Sequence, residues 1–182
     1  MSFDNRIKDF QNRGYEVPNH QMIKTPEQIE GIREAGKRNT MVLDYITPFV
    51  KEGVTTEELD RRIEEYTRKM GCIPACLHYQ GYPKSVCISV DDVVCHGIPS
   101  ENQVLKSGDI VNVDCTTIYN GYFGDASRMF CIGDVSEEKK KLVRVTKECL
   151  DLALAAVRPW GTMGDMGYVC NKHAEENGYT IV

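Results

Sequence analysis

The chain has 182 residues, 41% of them hydrophobic and 27% charged, with a formal net charge of −5. This is the composition of one soluble globular domain, or of a domain with a short extension. The acidic balance without a basic cluster argues against nucleic-acid binding, no apolar run approaches the roughly 18 residues of a membrane span, and the charged N-terminus does not read as a signal peptide, so a cytoplasmic location is expected.

Residues 1–24 are polar and weakly patterned, and read as a surface extension preceding one domain over 25–182. A helix is predicted to start at Thr25-Pro26-Glu27-Gln28, with threonine at the cap, proline in the first turn and glutamine completing a capping box. Ile29, Ile32, Ala35, Val42 and Ile46 continue it as one apolar stripe. A second helix opens at Thr55, carries Leu59, Ile63, Tyr66 and Met70 on one face, and stops at Gly71. Strand-like segments follow at Ser85–Val90 and around Val93–Cys95. Helices resume from Ser136 to about Val157 and from about Thr162 to Asn177. Leu59, Ile63 and Gly71 align with Met166, Cys170 and Gly178 at one constant offset, a faint internal echo that suggests a duplicated unit.

The most informative stretch runs from Val111 to Phe130, VNVDCTTIYNGYFGDASRMF. Asn120-Gly121 is a strong signal for a two-residue hairpin turn, because both residues tolerate positive φ. That turn sets Tyr119 opposite Tyr122, Thr116 opposite Asp125 and Asp114 opposite Ser127. Asp114 and Asp125 then share a face as diagonal neighbours. Two carboxylates this close repel unless one holds a proton or both share a cation. A bulge at Gly124 would instead turn Asp125 to the other face. On geometry alone, a turn-capping Asp125 and an amide-binding Asp114 remain an equal alternative.

The eight cysteines contain no Cys-x-x-Cys pair and several fall at apolar positions of predicted elements. Reduced, mostly buried thiols are therefore expected rather than a disulfide scaffold. His20 and His78 lack a partner at ligand spacing, and His173, one turn beyond Cys170 on a predicted helix, reads as a packed or surface residue. A Cys76/His96 nucleophilic pair is conceivable but remote, and Lys139-Lys140-Lys141 reads as a solvated helix face.

Five stretches, IKTPEQIEGIREAG, ACLHYQGYPKSVCISV, VVCHGIP, LKSGDIVNVD and GYFGDASRMF, together resemble the type I methionine aminopeptidase family of M24 metallopeptidases. The resemblance runs from Ile23 to Val182. It implies an α/β (α+β) architecture, the pita-bread (creatinase/aminopeptidase) fold, in which two pseudo-symmetric halves surround a dinuclear metal site. It also implies removal of N-terminal methionine from nascent polypeptides. Asp114 and Asp125 match the first two of the family's metal ligands, and His96 matches a catalytic histidine that contacts the substrate. Cys76, Tyr79, Tyr82 and Cys87 match the lining of the methionine pocket, while Thr116 suits a supporting role beside the ligands. The implied cofactors are two divalent ions, Co, Mn, Fe or Zn, which activate a water for attack on the scissile carbonyl. The implied partners are N-terminal methionine peptides of nascent chains and the ribosome.

Two departures accompany the resemblance. Gln80 stands where some relatives have histidine, and Asp91 replaces an asparagine near a monovalent-cation site. The family's remaining ligands, a histidine and two glutamates, belong to a second half beyond a Gly-His-Gly motif that this sequence does not contain. The expectation is thus a complete first half with only the helices of the second. Weak or partial metal occupancy and little activity from this chain alone follow, with a homo-oligomer or a complementing C-terminal half covering the open sheet edge. The alternatives are a non-catalytic half-domain that binds nascent N-termini, or a folding and assembly fragment.

Overall fold

Threonine caps and one tight hairpin organise the chain. The structure is a computed structural model describing Ser2 to Ile181; the side chain of His20, and with it the expectation for that residue, lies outside the described residues. Helix α2 spans Pro26–Ile46, and Thr25 and Gln28 form the expected capping box, each side chain bonding the other's backbone at 3.2 and 2.9 Å. Such a cap contributes about 1 kcal/mol to helix stability. Helix α3, Thr56–Lys69, is capped by Thr55 and followed by Gly71 in the left-handed region.

Four antiparallel strands follow: β1 (Ile73–Pro74), β2 (Cys87–Val90), β3 (Ile110–Tyr119) and β4 (Tyr122–Cys131). Strand β3 is the centre, with β4 along one edge and β1 and β2 sharing the other. The hairpin register is the one the sequence implies: Tyr119 opposes Tyr122, Thr116 opposes Asp125, and Asp114 opposes Ser127. Pairing continues unbroken through Thr117–Gly124, so no bulge displaces Asp125. Gly124 has a different purpose. A Cβ there would lie 2.4 Å from the Ala35 carbonyl oxygen, so only glycine lets α2 approach β4 this closely.

Alternation along β3 separates two faces. Val111, Val113, Cys115 and Thr117 are buried on one, beneath α2 and α3 in a core that includes Val42, Ile46, Leu59, Ile63, Val86, Ile88 and Leu105. The buried Thr117 hydroxyl donates to the Asn39 side-chain oxygen at 2.8 Å, tying helix to sheet. Asn112, Asp114 and Thr116 occupy the opposite face.

Helices α4 (Glu137–Ala156) and α5 (Met163–Glu176) complete the chain, capped by Ser136 and Thr162. They pack chiefly on one another. The echo holds in structure: α3 and α5 both start after a capping threonine, run 14 residues and end near a left-handed glycine, Gly71 or Gly178.

Several expectations need correction. The N-terminal segment is largely exposed, as a surface extension is, but it carries a helix the sequence did not announce: α1 spans Phe3–Asn12, and its aromatic rings Phe3 and Phe10 lie 5.4 and 6.0 Å from Trp160 in the α4–α5 link. Ile29 and Ile32 are exposed, because the contact line of α2 runs through Gly31, against the Tyr122 ring, and then Ala35, Asn39 and Val42. No strand forms at Val93–Cys95. There the chain turns out at Asp91, whose φ is 52° and whose carboxylate accepts from the Ile110 amide at 3.1 Å. Nor is Lys139 merely solvated: its ammonium donates to Asp91 at 2.6 Å and to the Gly108 carbonyl at 2.8 Å. Among the eight free cysteines, Cys95 and Cys131 are exposed rather than buried.

Candidate metal and substrate site

The polar face of the β3–β4 hairpin gathers the site. The two-residue pleat period puts Asp114 and Thr116 on it from β3, and Asp125, Ser127 and Met129 from β4. Thr116 donates its hydroxyl to Asp125 Oδ1 at 3.0 Å. It therefore orients Asp125, across the hairpin, rather than Asp114, its near neighbour in sequence. Burial raises the Asp114 carboxyl above its ordinary range, the Asp125 charge raises it further, and His96 partly offsets both. Asp114, Asp125 and His96 are thus brought within electrostatic reach of one another.

His96 reaches the site through its neighbour Gly97. The Gly97 amide donates to Ser89 Oγ at 3.1 Å and its carbonyl accepts from the Ile88 amide at 2.9 Å. A Cβ at Gly97 would sit 2.1 Å from the Ile88 carbonyl oxygen, so glycine is what lets this loop lie against β2. His96 itself adopts a φ of 54°, in the left-handed region that non-glycine residues enter rarely and histidine, asparagine and aspartate most readily. The Tyr82 hydroxyl lies 3.0 Å from the same Gly97 carbonyl and 3.1 Å from the Val86 carbonyl, and shares its single O–H between them.

Cys87 pairs with Asp114 across β2–β3 and thereby shares its face. Cys76, Tyr82 and Cys87 form one cluster of mutually interacting side chains. Burial, reinforced by Cys87 and Asp114, pushes the Cys76 thiol up to about 11. A thiol held protonated is a poor nucleophile, which removes support from the Cys76/His96 pairing. Burial raises Cys87 and Tyr82 as well. Tyr79 differs from its neighbours: it stands 66% exposed on the Tyr79–Gly81 turn, where Gln80 donates to its hydroxyl at 3.3 Å.

Sequence reading passed over Ser89, Asn112 and Ser127. Asn112 donates to Ser127 Oγ at 3.3 Å, beside the Asp114–Ser127 pair. Their signal is positional, since each sits two residues from a site residue on a strand and so shares its face. The Asp91 carboxylate accepts from the Lys139 ammonium and from the Ile110 amide. Burial works to raise its carboxyl, but the Lys139 ammonium and the Ile110 amide hold it below the usual range. His173 hydrogen-bonds Glu148 at 2.8 Å on the α4–α5 pair. Among the described residues, no group of three or more His, Cys, Asp or Glu side chains is arranged to hold a metal.

The sequence pattern of metallopeptidase family M24 matches residues 30–182. The chain belongs to that family. Among M24 relatives, methionine aminopeptidase A of Synechocystis sp. is 47% identical over 155 residues, covering 85% of this chain and 61% of the relative. The methionine aminopeptidase of Escherichia coli is 47% identical over 161 residues, covering 88% and 61%. In structure, methionine aminopeptidase from Rickettsia prowazekii superposes with a TM-score of 0.85 at 42% identity, covering 88% of this chain and 64% of that one. Prolidase from Pyrococcus furiosus shares the M24 fold at a TM-score of 0.74 and 23% identity. The chain thus spans about three fifths of the length of the methionine aminopeptidases it matches.

Proposed function

We propose that this protein acts in the removal of N-terminal methionine from peptides, with Asp114 and Asp125 holding divalent metal. The observation that carries the reading is the shared face: two carboxylates set diagonally across one hairpin, beside His96 and a cluster of two thiols and a tyrosine. The donor set fits a hard or borderline cation such as Mn, Fe, Co or Zn. Burial first, and then the Asp125 charge, raise the Asp114 carboxyl, and a cation held by both groups would relieve the repulsion between them.

Such an ion supplies Lewis acidity to a water nucleophile and to the scissile carbonyl. The chain's own residues do the rest. Thr116 fixes the orientation of Asp125 by donating to its Oδ1, which leaves the second carboxylate oxygen to serve as a ligand. His96, held by the Gly97 loop, donates to the peptide oxygen on which negative charge develops. Cys76, Tyr82 and Cys87 form a soft, polarizable lining that suits a thioether, with Tyr79 at its rim. Two carboxylates alone bind a divalent ion weakly, since ligand number and preorganisation set affinity. A second copy of the chain, or another chain contributing ligands, would strengthen it.

The test is hydrolysis of a Met-Ala-Ser peptide with added Mn or Co across a range of protein concentrations. Turnover that disappears in Asp125→Asn is expected. Turnover unchanged in that variant would remove Asp125 from the chemistry, and binding of the peptide without turnover would favour a non-catalytic module for N-terminal methionine.

A further inference from the structure

The α4–α5 hairpin carries a pair of cysteines that the metal site does not use. Cys149 on α4 and Cys170 on α5 are each half-buried and free. The Cys149 sulfur lies 3.6 Å from the Cys170 carbonyl oxygen, and the Cys170 sulfur lies 3.4 Å from the Cys149 carbonyl oxygen. This reciprocal contact interleaves the two side chains at the centre of the helix pair. The flanking contacts fix the register: His173 bonds Glu148 on one side, and the Lys141 ammonium reaches the Asn177 carbonyl at 2.8 Å further along. The buried residues Val145 and Ala153 lie one turn either side of Cys149, and Ala174 lies one turn beyond Cys170. Both thiols therefore sit in the contact seam rather than on opposite flanks.

We propose that Cys149 and Cys170 are a redox-modification site, joined by a two-electron oxidant of the peroxide class into a reversible disulfide that staples α4 to α5. Each sulfur already touches the other residue's carbonyl oxygen, and forming the bond requires rotation about χ1 that turns each sulfur from that carbonyl toward the other sulfur. Peroxide oxidises one thiol to a sulfenic acid, its O–O bond breaking as one water leaves. The second sulfur then attacks the sulfenic sulfur, the S–O bond breaks, and a second water carries away the remaining oxygen. Two thiols and one peroxide give one disulfide and two waters. Burial raises the Cys149 thiol. Its thiolate fraction is small near neutrality, so oxidation is slow there and reversal by a dithiol restores the starting state.

The consequence is local. Helices α4 and α5 depend chiefly on each other for packing, so a covalent link acts where non-covalent anchoring is thinnest. Closing this loop restricts the unfolded chain as well as the native pair.

The test treats the full chain with hydrogen peroxide and alkylates the remaining thiols. Trypsin cuts after Lys147 and Lys172 but not between Arg158 and Pro159, so both cysteines fall in one peptide, residues 148–172. The expected result is that peptide short of two hydrogens, unalkylated, and restored by dithiothreitol. Oxidation should also raise Tm by about 5 °C, a shift absent from Cys149→Ser and from Cys170→Ser. Free alkylation of both cysteines after peroxide treatment would overturn the proposal. So would a disulfide located at Cys76 and Cys87, or a Tm rise that persists in both serine variants.

Discussion

The two helix pairs begin with the same kind of cap and differ in what lies beneath them. Helices α2 and α3 cover the buried face of the sheet, where Ile46, Leu59, Ile63, Val111 and Val113 are almost fully enclosed. Helices α4 and α5 bury only Val145, Ala153 and Ala174, and leave Leu142, Leu150, Leu154 and Tyr168 exposed. Threonine and serine caps therefore establish that a helix forms, while the sheet determines how much stability it returns. The same contrast locates the chemistry. A closely packed core lies directly behind Asp114 and Asp125, whereas among the described residues Cys149 and Cys170 are backed chiefly by each other's helix.

The strongest way to break this contrast is to remove one leucine from each region. Leu59→Ala should cost about 3 kcal/mol by urea unfolding, because it opens a cavity in a closed core. Leu154→Ala should stay within about 0.5 kcal/mol, since its side chain is already largely in water. Equal losses would mean that the α4–α5 pair is as well supported as the first.

A smaller effect sharpens the join between helix and sheet. Thr117→Val removes the donor to Asn39 and leaves a buried amide oxygen unpaired, for an expected loss of about 1–2 kcal/mol. A double variant that also carries Asn39→Leu should recover part of that loss. Failure to recover any of it would assign the cost to packing instead.

Both halves of that join explain what was legible beforehand. The hairpin register, the threonine-capped helices α2 and α3 before it and α5 after it, and the echo between α3 and α5 follow from local rules: an Asn-Gly turn, caps at fixed offsets and alternation. Those rules also placed Asp114 and Asp125 on one face, while the roles of His96 and the pocket residues came only with the family resemblance. What local rules could not supply depended on distant partners. The stripe of α2 turned toward Gly31 and Ala35 because Gly124 admits close approach, a contact between segments far apart in sequence. Helix α1 is not legible in the sequence because Phe3 and Phe10 gain their packing from Trp160, near the other end of the described chain. Lys139 looked solvated because Asp91, its partner, lies on a different element.

The weakest effect concerns acid titration in the well-packed region. Asp60 accepts from the Ser85 amide at 2.8 Å and from its hydroxyl at 2.5 Å, yet burial outweighs these bonds and raises its carboxyl. A raised value means the folded state holds the proton more tightly than the unfolded chain. The resulting stabilisation is fully present below the ordinary carboxylate range and is lost as pH rises through the raised value. Asp60→Asn retains an acceptor oxygen for Ser85 without the charge. It should be neutral or up to about 1 kcal/mol stabilising at pH 7, and should flatten the fall in Tm as pH rises above the ordinary carboxylate range. A large loss of stability at pH 7 would show that the carboxylate itself is required.

The central claim is that Asp114 and Asp125 act together as metal-holding oxygens on the supported face. Calorimetric titration of Mn into the wild-type chain, Asp114→Asn and Asp125→Asn tests it most directly, with circular dichroism confirming that each variant is folded. The account predicts a binding heat in the wild type, weak in affinity, that is lost in both variants. An unchanged heat in either variant would contradict it, because the ion would then be held elsewhere.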